Sequence, residues 1–337
     1  MAYDLTEYLQ SYANICRWDM KKLKATKVLI NTALALIVVK GVNNMVFKSA
    51  RKKNLTSDYV KYDFTYKNTT INYIKKGEGS PVLLVHDVSA FSSIYEWHKI
   101  IDTLARKHTV YTVDLPGCGH SEKNAITYTV YLYQLVIAAF IKRVIGQKTD
   151  IVTSGLSSAI ALQLKYYDPK LINKVILSAP IKPSSIEKLP KLTDEFVKNM
   201  MNFQIMGTTL YNMYTSKIGA YIKACSQISK GNRQLKRDTY RVYHENAHIG
   251  DSKNKYLSSS LVNGFMFSRE KYLIPAIDDI YIINGYDEPD RKAIVDEFKE
   301  LNKTTHVITI NNAKYLPHLE KGTTFANVVL KIMNGQI

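Results

Sequence analysis

The chain is expected to fold as α/β, with a mostly parallel sheet, helices on both its faces and a helical insertion. Three features of the sequence carry this expectation. Short apolar runs of strand length alternate with longer helical patterns from about residue 80 to 180. Between Pro180 and about Asp279 the alternation gives way to helical patterns alone, and after that it resumes. Strands separated by helices need right-handed crossovers, which make neighbouring strands parallel and cover both faces of the sheet.

In chain order, residues 60–64 and 70–74 alternate apolar with polar side chains about Lys67-Asn68, which predicts a hairpin. Apolar runs at 82–85, 110–113, 151–153 and 175–177 predict strands, and the stretches 95–104, 130–145 and 156–167 between them carry helical spacing. The insertion reads as helices at 196–203, 210–222, 237–246 and 255–267. Strands at 281–283 and 307–310 then alternate with helices at 291–301 and 324–333. Three parts follow: a basic and apolar helical segment at 1–54, a core built from 55–180 and 280–337, and the insertion at 181–279.

With 337 residues, 46% of them hydrophobic, the chain can bury a large core. Its cysteines, Cys16, Cys118 and Cys225, are scattered and odd in number. They lack the spacing of a disulfide scaffold or a zinc site, so a reducing, cytoplasmic setting is expected. The opening Met-Ala-Tyr-Asp-Leu-Thr-Glu has no basic n-region, and no signal peptide is expected. The net charge of +17 is uneven, since residues 1–53 hold ten Lys and Arg against Asp4, Glu7 and Asp19.

These basic residues flank an apolar stretch at 28–39, shorter than the roughly 20 residues a helix needs to cross a bilayer. Lys40, Asn43 and Asn44 interrupt its extension to Phe47. Two readings stand side by side, an interfacial helix holding residues 17–53 to an anionic membrane surface or a helix docked on the domain with its charges solvated, and a true span of the membrane is the less favoured third. Nucleic acid is not expected as a partner, because no base-stacking aromatic pattern interleaves the basic residues. No cofactor is expected.

In an open parallel sheet, ligands bind outside the carboxyl ends of the strands. Four such loops carry a family pattern: Leu83-Leu84-Val85-His86-Asp87, Asp114-Leu115-Pro116-Gly117-Cys118-Gly119-His120-Ser121, Val152-Thr153-Ser154-Gly155-Leu156-Ser157-Ser158-Ala159 and Leu316-Pro317-His318-Leu319-Glu320-Lys321. In this order, with this rhythm of strands and helices, the chain resembles the α/β-hydrolase superfamily, whose lid would correspond to the insertion. The resemblance implies a nucleophile on a strained strand-to-helix turn, a histidine base, an acid that orients it, and two backbone N–H groups for an oxyanion.

The family's turn reads small-x-Ser-x-small-small, and laid on residues 151–162 it places Gly155 at the nucleophile with Ser157 and Ser158 at the small positions. A rival register makes Ser157 the nucleophile of a G-x-S-x-A motif, and Ser154 is a third candidate. The β-branched run that stops at Thr153 favours the Gly155 register. Otherwise these serines are small residues that let helix and strand pack closely.

At the histidine position the resemblance aligns Tyr315, and a phenol with a reference pKa of about 10 is a poor base at neutral pH. His318 falls where the family often has a second, non-catalytic histidine, and is an alternative base or a loop residue. The acid position aligns with Glu288, with Asp287 and Asp290 beside it. The oxyanion loop His86-Asp87-Val88 has lost its glycine, and a carboxylate there would oppose an oxyanion. The N–H groups of Val88 and Leu156 could still form an anion or carbonyl site.

His244-Glu245-Asn246-Ala247-His248 spells H-E-x-x-H, which on a helix sets two imidazoles one turn apart for zinc. Such a site needs a third ligand, for which Glu270 is available; the alternative is that His244 and His248 satisfy local hydrogen bonds. Losses at Gly155, Tyr315 and Asp87 together imply a hydrolase-fold protein that is impaired or non-catalytic and binds a small apolar or acyl-bearing ligand, or a partner, under its lid. The alternative is an active serine ester or amide hydrolase using Ser157 or Ser154 with His318 and Glu288 or Asp287.

Overall fold

A computed structural model of the chain describes residues 5–53, 55, 62–187 and 191–337. Residues 60 and 61 of the expected first strand, and Asn54 at the expected domain boundary, lie outside the described residues. The chain divides into two compact units, Met1–Met45 and Val46–Ile337.

In the larger unit the described residues form one eight-stranded sheet in the order β1-β2-β4-β3-β5-β6-β7-β8. The strands are β1 (Tyr62–Tyr66), β2 (Thr69–Lys76), β3 (Pro81–Val85), β4 (Thr109–Val113), β5 (Thr149–Ser154), β6 (Ile172–Ser178), β7 (Ile280–Gly285) and β8 (His306–Ile310). The first hairpin is antiparallel and pairs antiparallel with β4, whereas every pair from β4 to β8 is parallel. Lys67 turns the hairpin at φ 50°.

Side chains alternate across β3, and both faces are buried. Val82 and Leu84 pack in a layer with Trp97, Leu104 and Phe325; Leu83 and Val85 pack in the opposite layer with Tyr133, Phe140 and Leu162. That two-sided burial is why the strands are continuous apolar runs in sequence.

The helices following the strands are α2 (His98–Leu104), α3 (Val130–Phe140) and α4 (Ser158–Tyr167), and after β7 and β8 come α12 (Arg291–Leu301), α13 (Pro317–Glu320) and α14 (Gly322–Met333). Between β6 and β7 lie α5 (Pro183–Ile186), α6 (Leu192–Asn202), α7 (Met206–Tyr214), α8 (Lys217–Gln227), α9 (Arg233–Asn246), α10 (Lys255–Val262) and α11 (Glu270–Leu273). The helix expected at 130–145 ends in a π-turn at Ile141–Ile145 that Gly146 terminates at φ 74°. The helix expected at 210–222 is two helices: the chain breaks at Thr215-Ser216, where the Ser216 hydroxyl accepts from Gly219 N and caps α8. The helix expected at 255–267 stops at Val262, and Gly264 follows at φ 67°.

Chain direction positions the functional crevice. β3 lies between β4 and β5, and the loops leaving β3 and β5 diverge towards helices on opposite faces, α2 on one and α4 on the other. In a doubly wound sheet this divergence opens a crevice at the carboxyl ends of the two strands.

The N-terminal helix α1 runs from Leu5 to Ala50. Its stretch Lys24–Ala50 is 27 residues long and contains an 18-residue window with a mean hydropathy of 1.6, long and apolar enough to cross a membrane by length and composition. At 1.5 Å per residue it covers about 40 Å. The helix continues through Lys40, Asn43 and Asn44 instead of ending there. Val28, Leu29, Ile37 and Val38 are each more than 60% exposed. Within the larger unit, the end of the helix is anchored by Phe47, which packs with Ala90, Met201 and Tyr211.

Candidate functional site

The turn after β5 begins at Gly155. Ser154 closes the strand at φ −120°, ψ 136°; Gly155 follows at φ 56°, and a single 3-10 turn, Gly155–Ser157, leads into α4. A left-handed residue at this point costs a side-chain-bearing amino acid about 1–2 kcal/mol, and glycine nothing. The strained corner is therefore present, with an α-carbon and no side chain at its apex.

Asp87 fills the space that a side chain at this apex would take. A Cβ built on Gly155 would lie 2.6 Å from Asp87 Oδ1 and 2.7 Å from its Cγ. The same Oδ1 accepts the backbone N–H of Val88 at 2.8 Å and that of Leu156 at 2.8 Å. The two donors singled out for an oxyanion do converge on one oxygen, and that oxygen belongs to the chain itself. Behind it, Asp87 N donates to Glu96 Oε2 at 3.1 Å. Burial, and then the Asp87 charge, push the Glu96 carboxyl up to about 8.

The loop is held from below by His86, which is fully buried. Leu115 N donates to His86 Nε2 at 3.0 Å, so Nε2 is the acceptor and Nδ1 carries the proton donated to Asp87 O at 2.6 Å. Burial keeps this imidazole neutral by lowering its pKa.

Both serine alternatives are placed. Ser157 is completely buried; its hydroxyl lies 2.8 Å from Ser154 O and 3.1 Å from Val85 O, and it accepts from Ser154 N at 3.1 Å. All these partners are backbone groups, so the hydroxyl ties the turn to β3. Ser154 is 1% exposed and borders the cavity.

His318 is in α13, fully buried, with Nδ1 2.9 Å from Ser178 Oγ and its ring 4.3 Å from that of Trp97. Its Nε2 has no hydrogen-bond partner. Burial lowers its pKa to about 3, so the ring is neutral and packed in the core. The structure does not bring His318 to Ser154 or Ser157 by a hydrogen bond.

A cavity of about 560 Å³ opens over this corner, bordered by Asp87, Gly155, Leu156, Glu288 and Tyr315 from the core loops and by Lys223 and Gln227 from α8. Of the acids after β7, Asp287 is exposed and Glu288 turns inward, 3% exposed, with neither carboxylate oxygen hydrogen-bonded. Burial, then Asp290, raises Glu288 to about 8. Tyr315 donates its hydroxyl to Asp290 Oδ2 at 3.3 Å, and burial, with Asp290 next, pushes the phenol up to about 12.

Sequence reading missed Glu96, Lys223 and Gln227. Glu96 left a signal, a lone carboxylate in the apolar run Ile94-Tyr95-Glu96-Trp97. The two α8 residues left none, because nothing local says which face of an inserted helix meets a cavity.

Of the H-E-x-x-H residues, His244 is in α9 and His248 in the turn just after it, with imidazole rings 4.6 Å apart. Each is spent locally: His244 Nδ1 is 3.0 Å from Thr215 O, and His248 Nδ1 is 2.6 Å from His244 O. Among the described residues no group of three or more His, Cys, Asp or Glu could hold a metal ion, so Glu270 does not complete the zinc site. The correction follows from placement: Glu270 is buried at the start of α11, where its nearest charges are Glu187 and Glu297.

The family model described as alpha/beta hydrolase fold matches residues 80–316. A 2-hydroxy-6-oxo-6-(2'-aminophenyl)hexa-2,4-dienoic acid hydrolase of Metapseudomonas resinovorans is 29% identical over 123 residues, 36% of this chain and 42% of that protein. An uncharacterised protein of Mycobacterium tuberculosis (strain H37Rv) is 30% identical over 101 residues, covering 30% of this chain and 29% of the relative. The matched segments thus span less than half of these relatives. Among solved structures, a serine hydrolase involved in carbazole degradation superposes with a TM-score of 0.65 at 18% identity, over 82% of this chain and 99% of its own. A membrane phospholipase A described as a bacterial virulence factor also gives 0.65, at 17% identity, over 92% and 98%. At such identities the likeness concerns the fold alone.

Two outcomes are expected of this corner. Gly155→Ser should destabilise the chain by about 1–3 kcal/mol in denaturant melts, from backbone strain and the encounter with Asp87. Combined with Asp87→Gly, part of that loss should return; strictly additive effects would contradict the shared space. The second outcome concerns pH. Because Glu288 is raised from 4.5 to about 8, the folded state holds the extra proton between those values. The stability this gives is complete below about pH 4.5 and lost as pH rises through 8. The melting temperature of Glu288→Gln should therefore fall less between pH 5 and 8 than that of the parent.

Proposed function

The chain belongs to the α/β-hydrolase family, and on that footing we propose that its cavity binds a small apolar or acyl-bearing ligand without serine–histidine chemistry. One observation carries this reading: the carboxylate of Asp87 stands over Gly155 and takes both backbone donors. An acyl-transfer site needs that place free for a reacting oxygen and those donors free for the charge that develops on the carbonyl. The burial of His318 against Trp97, away from the cavity lining, supports the same reading.

A second reading is an active ester or amide hydrolase using Ser157 or Ser154 with His318 and Glu288. It is favoured by the likeness to a relative named as a hydrolase and to a solved structure described as a serine hydrolase. A fluorophosphonate probe separates the two. The first expects no labelling of the parent; labelling that disappears in Ser157→Ala or Ser154→Ala would establish the second.

The N-terminal helix extends the proposal to location: a cytoplasmic protein held peripherally at an anionic membrane surface. Its support is the exposed apolar stretch within Lys24–Ala50, with Lys and Arg before and after it. Binding to anionic vesicles should weaken with salt and vanish on deletion of residues 1–53. Undiminished binding of the truncated chain would refute this.

A further inference from the structure

The cavity is built from two opposite kinds of group. On one wall, the N–H groups of Val88 and Leu156 point at a single spot, an arrangement that ordinarily attracts an anion. That spot is filled by Asp87 Oδ1, at 2.8 Å from each donor. Hydrogen bonds to a charged acceptor are among the stronger ones, so an incoming carboxylate would have to displace a well-held internal one. The same cavity is bordered by Glu288, 3% exposed, with both oxygens lacking any hydrogen-bond donor. A buried carboxyl group left without donors is costly, and the chain supplies none.

The remaining charges lie in the same sense. Asp290 also borders the cavity. Lys182 is held by Glu297 at 3.5 Å, and Lys223 is the one bordering cation without an ion pair among the described residues. Asp87, Asp290 and the proton-retaining carboxyl of Glu288 therefore border the cavity with one unpaired lysine.

We propose that Asp87 serves as a built-in anion that closes the backbone donor pair to carboxylates and, with Glu288, makes the cavity a site for a ligand carrying a protonated amine beside an apolar chain. The ammonium supplies the donors that Glu288 lacks, and Asp87 supplies the negative charge. The apolar part of the ligand lies against Leu156, Ile181, Ile294 and Leu316. This rests on the reading of the cavity as a ligand site without serine chemistry, and Asp87 is its specificity-determining residue.

The test uses the full chain and two matched probes, n-hexylammonium and hexanoate, followed by saturation-transfer NMR and titration. The chain's overall charge of +17 opposes a cation, so any preference for hexylammonium has to arise in the cavity. The parent should bind hexylammonium and leave hexanoate unbound. Asp87→Asn keeps an acceptor oxygen on the two N–H groups and loses the charge, so hexylammonium should weaken about tenfold, or 1.4 kcal/mol, with hexanoate still excluded. Asp87→Gly frees the donors, and hexanoate should then bind. Glu288→Gln, which leaves the donor pair untouched, should weaken hexylammonium alone and serves if the Asp87 variants do not fold. Hexanoate binding to the parent as well as or better than hexylammonium, or no hexylammonium binding at all, overturns the proposal. Fluorophosphonate labelling of the parent would instead strike at the underlying reading, whichever probe binds.

Discussion

The carboxylate oxygen of Asp87 that accepts two backbone N–H groups is the contact on which the rest of the site depends. One donor is in its own loop after β3 and the other is in the turn after β5. These loops leave adjacent parallel strands towards opposite faces of the sheet, and the shared oxygen joins them where the fold opens its crevice. The apex of the turn can hold only glycine for two reasons, its left-handed backbone and the carboxylate beside it. A side chain at position 155 and an acid at position 87 compete for one volume.

Burial sets the electrostatics around this contact. Glu96 and Glu288 are both raised to about 8, chiefly by desolvation, so each tends to keep its proton near neutrality. His86 and His318 are shifted the other way for the same reason and stay neutral. The corner thus has one carboxylate satisfied by backbone donors, beside groups whose charge burial suppresses. A histidine base needs access to its substrate and a pKa near the working pH. His318 is fully buried, with its ring 4.3 Å from that of Trp97 and its pKa lowered to about 3.

The N-terminal segment obeys different physics. Its helix carries exposed apolar side chains between positions 28 and 42 where the larger unit buries its own in two dense layers. The proposed hold on an anionic membrane surface rests on that exposed apolar surface and its basic flanks.

Periodicity and local backbone preference made the sheet, its crossovers and the helical stretch between β6 and β7 legible in the sequence, because these depend on neighbours a few residues apart. The same holds for Gly155 at a strand-to-helix corner, for Val88 and Leu156 as the converging donors, and for Glu288 as the acid that follows β7. Register is local, and so is a glycine's freedom at positive φ. Tertiary structure alone decided what occupies the site. Asp87 and Leu156 are 69 residues apart in the chain, and only folding brings the carboxylate to that N–H. Packing likewise spent the Ser157 hydroxyl on backbone carbonyls, sealed His318 against Trp97, and denied His244 and His248 a third ligand. Residue identity shows which groups can react; the partners each one meets on folding determine which remain free to do so.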